Sequence, residues 1–144
     1  MTKQIGNYIF TFCKKCNDFK NEFVEQKWGF DFELTNDLLF NKGCYTSDNY
    51  HQLVKVNIEG MSEPICIIGI RHEHWLKINS DHISLLDVHK DFRGKGLGKE
   101  IFYLFISNFC DKPYVTLYAE EKNQGFYEKL GFVKQNKYFY VLEK

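Results

Sequence analysis

Ile83–Cys110 reads ISLLDVHKDFRGKGLGKEIFYLFISNFC, and its three parts decide the fold. Ile83-Ser84-Leu85-Leu86-Asp87-Val88 is an apolar run of strand length. A short polar turn, His89 to Phe92, follows. Arg93-Gly94-Lys95-Gly96-Leu97-Gly98-Lys99 then leads into a helical pattern. Leu97, Ile101, Leu104, Phe105 and Phe109 fall on one stripe of that helix. Strand, glycine-rich turn and helix in this order make an anion site. The first amides of a helix have no internal partner, and the helix dipole adds positive character there. Glycine lets the backbone come close to a ligand and take positive φ. Arg93, Lys95 and Lys99 add charge, so a phosphate or pyrophosphate suits the turn. A glycine-rich surface turn without a ligand is the alternative.

Two common phosphate motifs do not fit. A P-loop needs G-x-x-x-x-G-K-[ST], but Gly94 and Gly98 are too close and Glu100 follows Lys99. The dinucleotide fingerprint G-x-G-x-x-G, begun at Gly94, needs glycine where Lys99 stands. Its acidic ribose ligand belongs at the end of a second parallel strand, whereas Asp111 precedes the next strand.

Arg93-x-x-Gly96-x-Gly98 instead resembles the Q/R-x-x-G-x-G/A acyl-CoA pyrophosphate motif of the GNAT superfamily of N-acetyltransferases. Leu86-Asp87-Val88-His89 resembles that family's L-x-V-x-P lead-in, with Lys90 replacing the usual proline. Phe126-Tyr127-Glu128-Lys129-Leu130-Gly131-Phe132 looks like its F-Y-E-K-L-G-F motif. The resemblance covers residues 67–141. It implies an α+β fold, with a central mixed, mostly antiparallel sheet of about six to seven strands flanked by about four helices. It implies acetyl-CoA as co-substrate. Amides of Arg93, Gly94, Lys95, Gly96, Leu97 and Gly98, with Lys99 beside them, would wrap the pyrophosphate. The edge of Leu86, Asp87 and Val88 would pair with the amide-bearing pantetheine arm, in the gap before Val115–Tyr118.

Length and composition agree with a single domain over residues 1–144. Hydrophobic residues make up 44% and aromatics 17%, which argues against disorder. Nineteen basic and nineteen acidic side chains balance, so neither nucleic acid nor an anionic membrane is expected as partner. No apolar run approaches membrane-spanning length and no signal peptide is seen, so the cytoplasm is the expected address. The odd cysteine count (Cys13, Cys16, Cys44, Cys66, Cys110) reads as reduced thiols. Cys13-x-x-Cys16 lacks a second ligand pair at short spacing, so no metal is expected.

In chain order, Asn7–Cys13 reads as a first strand. Helices are expected over about Asn17–Trp28 and Thr35–Phe40. Tyr50–Glu59 and Ile65–Asn79 read as two strands of a hairpin, with His82 opening the strand that follows. After the glycine turn and long helix come strand Tyr114–Tyr118, a right-handed crossover parallel to Ile83–Val88, a helix over Glu120–Leu130 stopped at Gly131, and a closing hairpin.

Acetyl transfer from a thioester to an amine needs a held carrier, a neutral amine, a stabilised oxyanion and a protonated leaving thiolate. The resemblance makes Tyr127 the general acid; a core aromatic is the alternative. Its phenol, near pKa 10 when unperturbed, is protonated at neutral pH. His82 is the candidate general base by ionisation range; a plain surface residue is its alternative, and His72, Glu73, His74 and Asp87 are rivals. Where the family carries Asn, Glu120 stands, and Asn123 lies three residues on, so either could face the cofactor arm. The expected function is N-acetylation of a primary amine on a small molecule or peptide. A catalytically degenerate acyl-CoA sensor or protein-interaction module is the competing one. The aromatic Tyr138-Phe139-Tyr140 could pack inside or against a twin subunit, leaving a homodimer open.

Overall fold

A computed structural model describes residues 1–13, 52–71 and 78–144. The strands are β1 (Thr2–Ile5), β2 (Tyr8–Phe12), β3 (Gln52–Ile58), β4 (Cys66–Arg71), β5 (Ser80–Val88), β6 (Tyr114–Tyr118), β7 (Val133–Lys134) and β8 (Phe139–Glu143). The helices are α1 (Leu97–Phe109) and α2 (Gln124–Lys129). All eight strands join one sheet in the order β1-β2-β3-β4-β5-β6-β8-β7. The first five form an antiparallel meander. β5 and β6 are parallel, joined through α1, and β8 and β7 pair antiparallel beyond them.

The class is the α+β one expected, with different counts. Among the described residues eight strands stand where six to seven are expected, because Thr2–Ile5 adds a hairpin partner to the strand expected over Asn7–Cys13. Ile5 pairs with Tyr8 across a two-residue turn, and Gly6 takes φ +59°, where glycine is at little cost. β1 is polar and mostly exposed, so it lacks the alternation that marks a half-buried strand. Two α-helices lie among the described residues; both helices expected before residue 50 fall outside them. Residues 72–77, in the strand expected over Ile65–Asn79, also fall outside. The helix expected over Glu120–Leu130 divides into a 3-10 turn, Glu121–Asn123, and α2.

Helix α1 carries the core. Ile101, Phe102 and Phe105 are fully buried and Ile106 nearly so. The buried face is thus rotated from the sequence stripe, which held Leu104 but not Phe102 or Ile106. The cause is contact on two sides. Phe105 and Phe109 meet Phe10 and Phe12 of β2, while Phe102 stacks on Phe132 and meets Tyr127 edge-on. Val115 and Leu117 of β6 complete this layer. The Asp81 carboxylate accepts the amides of Asp111 and Lys112 at 3.0 and 3.2 Å, tying the end of the crossover to β5. No helix among the described residues is long and apolar enough to cross a membrane.

Candidate active site

The glycine turn is anchored before it begins. The His89 amide donates to Ile65 O at 2.8 Å, and a 3-10 turn over Lys90–Phe92 closes with Phe92 N donating to His89 O at 2.9 Å. Gly94 and Gly96 then take φ +75° and +78°. A side chain at either would meet nothing within 4 Å. Backbone conformation, not crowding, therefore requires glycine at these two places. Gly98 differs: it is helical, and a Cβ there would lie 3.0 Å from Val88 Cγ2. Its smallness lets α1 start close against the end of β5. The first helical amide in use is Glu100 N, donating to Gly96 O at 3.2 Å. Among the described residues, the amides of residues 94–98 meet no hydrogen-bond acceptor. Tyr8 donates to Glu100 Oε2 at 3.0 Å, fastening the same helical turn to β2; burial and that carboxylate push the phenol up to about 12.

Next to the turn the sheet opens. The β5–β6 ladder runs from Ser80↔Tyr114 to Ile83↔Leu117 and carries no further pair, while β4 stays paired with β5 through Cys66↔Val88. The parting starts at a β-bulge. Gly69 pairs with Leu85 and Ile70 with Ile83, leaving Ser84 as the extra residue. A bulge bends its strand and increases local twist. Gly69 accommodates it, since a Cβ there would sit 2.7 Å from Ser84 Oγ. Alternate residues of a strand present their polar groups to opposite edges. His89 and Asp87 face β4, so the N–H and C=O of Leu86 and Val88 face the edge that β6 has left.

Arg93 closes the gap's near end. Its Nε donates to Val88 O at 2.7 Å and its Nη2 to Asp87 Oδ1 at 3.1 Å; Asp87 is buried and Arg93 half exposed. Lys95 and Lys99 are exposed, the former with its ammonium 5.8 Å from the Phe92 ring. Leu97 is half-buried at the helix start.

Tyr127 lies on α2, which Tyr140 holds by donating to Glu128 Oε2 at 2.7 Å. Its ring makes edge contacts with Phe102, Phe126 and Phe132. Its hydroxyl meets no hydrogen-bond partner among the described residues. Burial, and to a lesser degree the Cys66 thiol, push the phenol up to about 12. Cys66 is the register partner of Val88, so the phenol and the open end of β5 share a neighbourhood. The Cys66 thiol is itself pushed upward, chiefly by burial.

His82 is not a strand-start surface residue. β5 begins two residues earlier, and His82 is 5% exposed in its interior. Its Nδ1 and Thr116 Oγ1 are 2.9 Å apart, Thr116 Oγ1 and Ser80 Oγ 3.1 Å, and Tyr118 meets the imidazole edge-on. Burial first, then the Arg71 charge, lowers its pKa to about 4. Asn123 and Glu120 are exposed; Asn123 N donates to Glu120 O at 2.8 Å, and Glu120 pairs with Lys122 at 3.7 Å. His72, Glu73, His74 and Cys16 lie outside the described residues. Among those described, no cluster of His, Cys, Asp and Glu could hold a metal ion. Sequence reading missed the Ser84 bulge, whose one trace is Gly69 inside an otherwise β-branched strand.

The turn, the open strand edge and Tyr127 can be set beside known proteins. Solved structures share the fold at low identity. A GNAT-family acetyltransferase described as putative, from Desulfovibrio desulfuricans, matches at TM-score 0.64 and 13% identity, covering 94% of this chain and 98% of that one. An acetyltransferase from Thermus thermophilus matches at 0.64 and 17%, covering 94% and 97%. A spermidine N-acetyltransferase variant from Vibrio cholerae matches at 0.62 and 12%, covering 96% and 95%. Among curated sequences, the uncharacterized N-acetyltransferase ycf52 of Pyropia yezoensis is 41% identical over 49 residues, which is 33% of this chain and 28% of that protein. The family model for the acetyltransferase (GNAT) domain matches residues 47–141, roughly two thirds of the sequence, and the chain belongs to that family of acetyltransferases.

Proposed function

We propose that the protein transfers an acetyl group from acetyl-CoA to a primary amine of a small molecule or peptide. The observation that carries this reading is the coincidence of two open backbone arrays. The amides of residues 94–98 meet no acceptor among the described residues, and next to them the edge of Leu86 and Val88 has lost β6 as its partner, with Val88 O engaged by Arg93. The first array suits a pyrophosphate at a helix start. The second suits an amide-bearing arm that enters as an extra strand.

Attack of the neutral amine on the thioester carbonyl forms the C–N bond, and collapse of the tetrahedral adduct breaks C–S. Tyr127 gives its proton to the departing sulfur, and the proton shed by the attacking nitrogen passes to solvent, from which the phenolate is reprotonated. A phenol held near 12 is fully protonated at neutral pH, and its hydroxyl is not committed elsewhere among the described residues. His82 suits the base role less well, because a base near 4 is mismatched to neutral operation. Asn123 and Glu120, on the segment leading into α2, are the exposed polar groups proposed to border the arm.

The test is isothermal calorimetry with acetyl-CoA, followed by thiol release across amino acids, polyamines, aminoglycosides and peptides. Gly96→Asp should abolish binding, because it adds a like charge and forces a left-handed φ on a residue with a Cβ. Wild-type affinity in that variant would remove the turn from the reading. Acetyl-CoA binding with no thiol release on any amine would assign a sensor instead of an enzyme.

A further inference from the structure

We propose that Arg93 is a positioning residue, whose guanidinium braces the end of β5 against the glycine turn and does not itself ligate the pyrophosphate; this rests on the acetyl-CoA reading above. Two donors of its fork point back into the protein, at 2.7 Å to Val88 O and 3.1 Å to Asp87 Oδ1. The Asp87 carboxylate, 6% exposed, is stabilised by this charge-assisted pairing. The pairing also neutralises an anion beside a site built for anions. Lys95 and Lys99 form no ion pair among the described residues, so they remain as the charges for phosphate oxygens.

A brace matters here because the turn is soft. Two glycines at positive φ within three residues leave the chain wide freedom. Both ends of the turn are keyed to one residue. At the entrance Val88 O holds Arg93; at the exit the Val88 side chain abuts Gly98. Val88 N–H faces the open edge as well. Fixing Val88 therefore fixes the amides of the turn relative to the strand edge, and one ligand can meet both arrays without the entropic cost of ordering them.

Three variants separate this from direct phosphate contact: Arg93→Gln, Arg93→Lys and Asp87→Asn. Calorimetry with acetyl-CoA is run over a range of salt, with ligand-free melting as the check on folding. A brace predicts that each variant binds about tenfold more weakly. Lysine fails like glutamine because it lacks the fork. The combined Arg93→Gln/Asp87→Asn variant is no worse than the weaker single one, and the salt dependence stays that of the wild type. Near wild-type binding by Arg93→Lys, a flatter salt dependence in Arg93→Gln, or unchanged or tighter binding in Asp87→Asn would each overturn the proposal. So would a lowered melting temperature with wild-type affinity, which makes the pair a fold contact only. Should Arg93→Gln not fold, the isosteric Asp87→Asn decides. Failure of the wild type to bind acetyl-CoA is a separate result: it removes the acetyl-CoA reading and this inference with it.

Discussion

Tyr127 combines a packed ring with a hydroxyl that is uncommitted among the described residues. Its ring packs against three phenylalanines, while its hydroxyl takes no partner among the described residues. The two readings open in the sequence, general acid and core aromatic, are therefore not exclusive. They separate under substitution. Tyr127→Phe keeps the ring and removes only the proton, so turnover should fall about 10²-fold with little change in melting temperature or acetyl-CoA affinity. Full turnover in that variant would leave the ring as the residue's whole contribution. Arg93 presents the reverse case. In sequence it is one more positive charge beside three glycines. Its fork turns out to be spent on Val88 and Asp87, a partnership five and six residues back that charge counting cannot reveal.

Among the elements, β5 matters most, and what makes it matter is a defect. An unbroken ladder to β6 would leave no edge for a ligand. The bulge at Ser84 ends that ladder one residue after the last pair, and Gly69 on β4 makes room for it. Gly69→Ala should cost about 1–3 kcal/mol by overpacking Ser84 Oγ and Leu85 Cβ. It should also weaken acetyl-CoA binding, because relief comes by flattening the bulge. Combining it with Ser84→Ala should recover part of the stability, as expected for sites in contact. Equal stability of Gly69→Ala and the wild type in denaturant melts would show that the bulge does not depend on glycine. The strand–turn–helix unit itself was legible, because apolar period, glycine spacing and helix stripe are local signals. The bulge was not, since it is a matter of register between two strands. The rotation of α1 was hidden for a related reason. Phe102 is drawn inward by Phe132 and Tyr127, which lie on a later segment that a local stripe does not include.

At the scale of the whole molecule, the sheet brings into the interior a titratable group that the sequence places at a strand start, as candidate base or, alternatively, plain surface residue. His82 reads as the opening of a strand because the residues before it, Asn79-Ser80-Asp81, look like a turn. Ser80 and Asp81 are instead buried in the strand, Ser80 toward Thr116 and Asp81 under the crossover. Long-range hydrogen bonds overrode their local preference. The consequence is a pH dependence of the entire fold. With its pKa lowered from 6.5 to about 4, His82 stays neutral in the native state while the unfolded chain takes up a proton below pH 6.5. The unfolded state then binds more protons, so native stability falls as pH drops from about 6.5 to about 4, and this group adds no further loss below that. The loss from this one site is at most about 3 kcal/mol. His82→Gln removes the titration and can keep a hydrogen bond to Thr116, so its stability measured by denaturant melts should decline less over that interval. Parallel curves for variant and wild type between pH 6.5 and 4 would show that His82 already protonates freely in the native sheet. A catalytic role would leave a different mark. It would move the pH dependence of turnover under conditions where both proteins are fully folded, and neutral-pH turnover of His82→Gln close to wild type would assign the imidazole to the architecture alone.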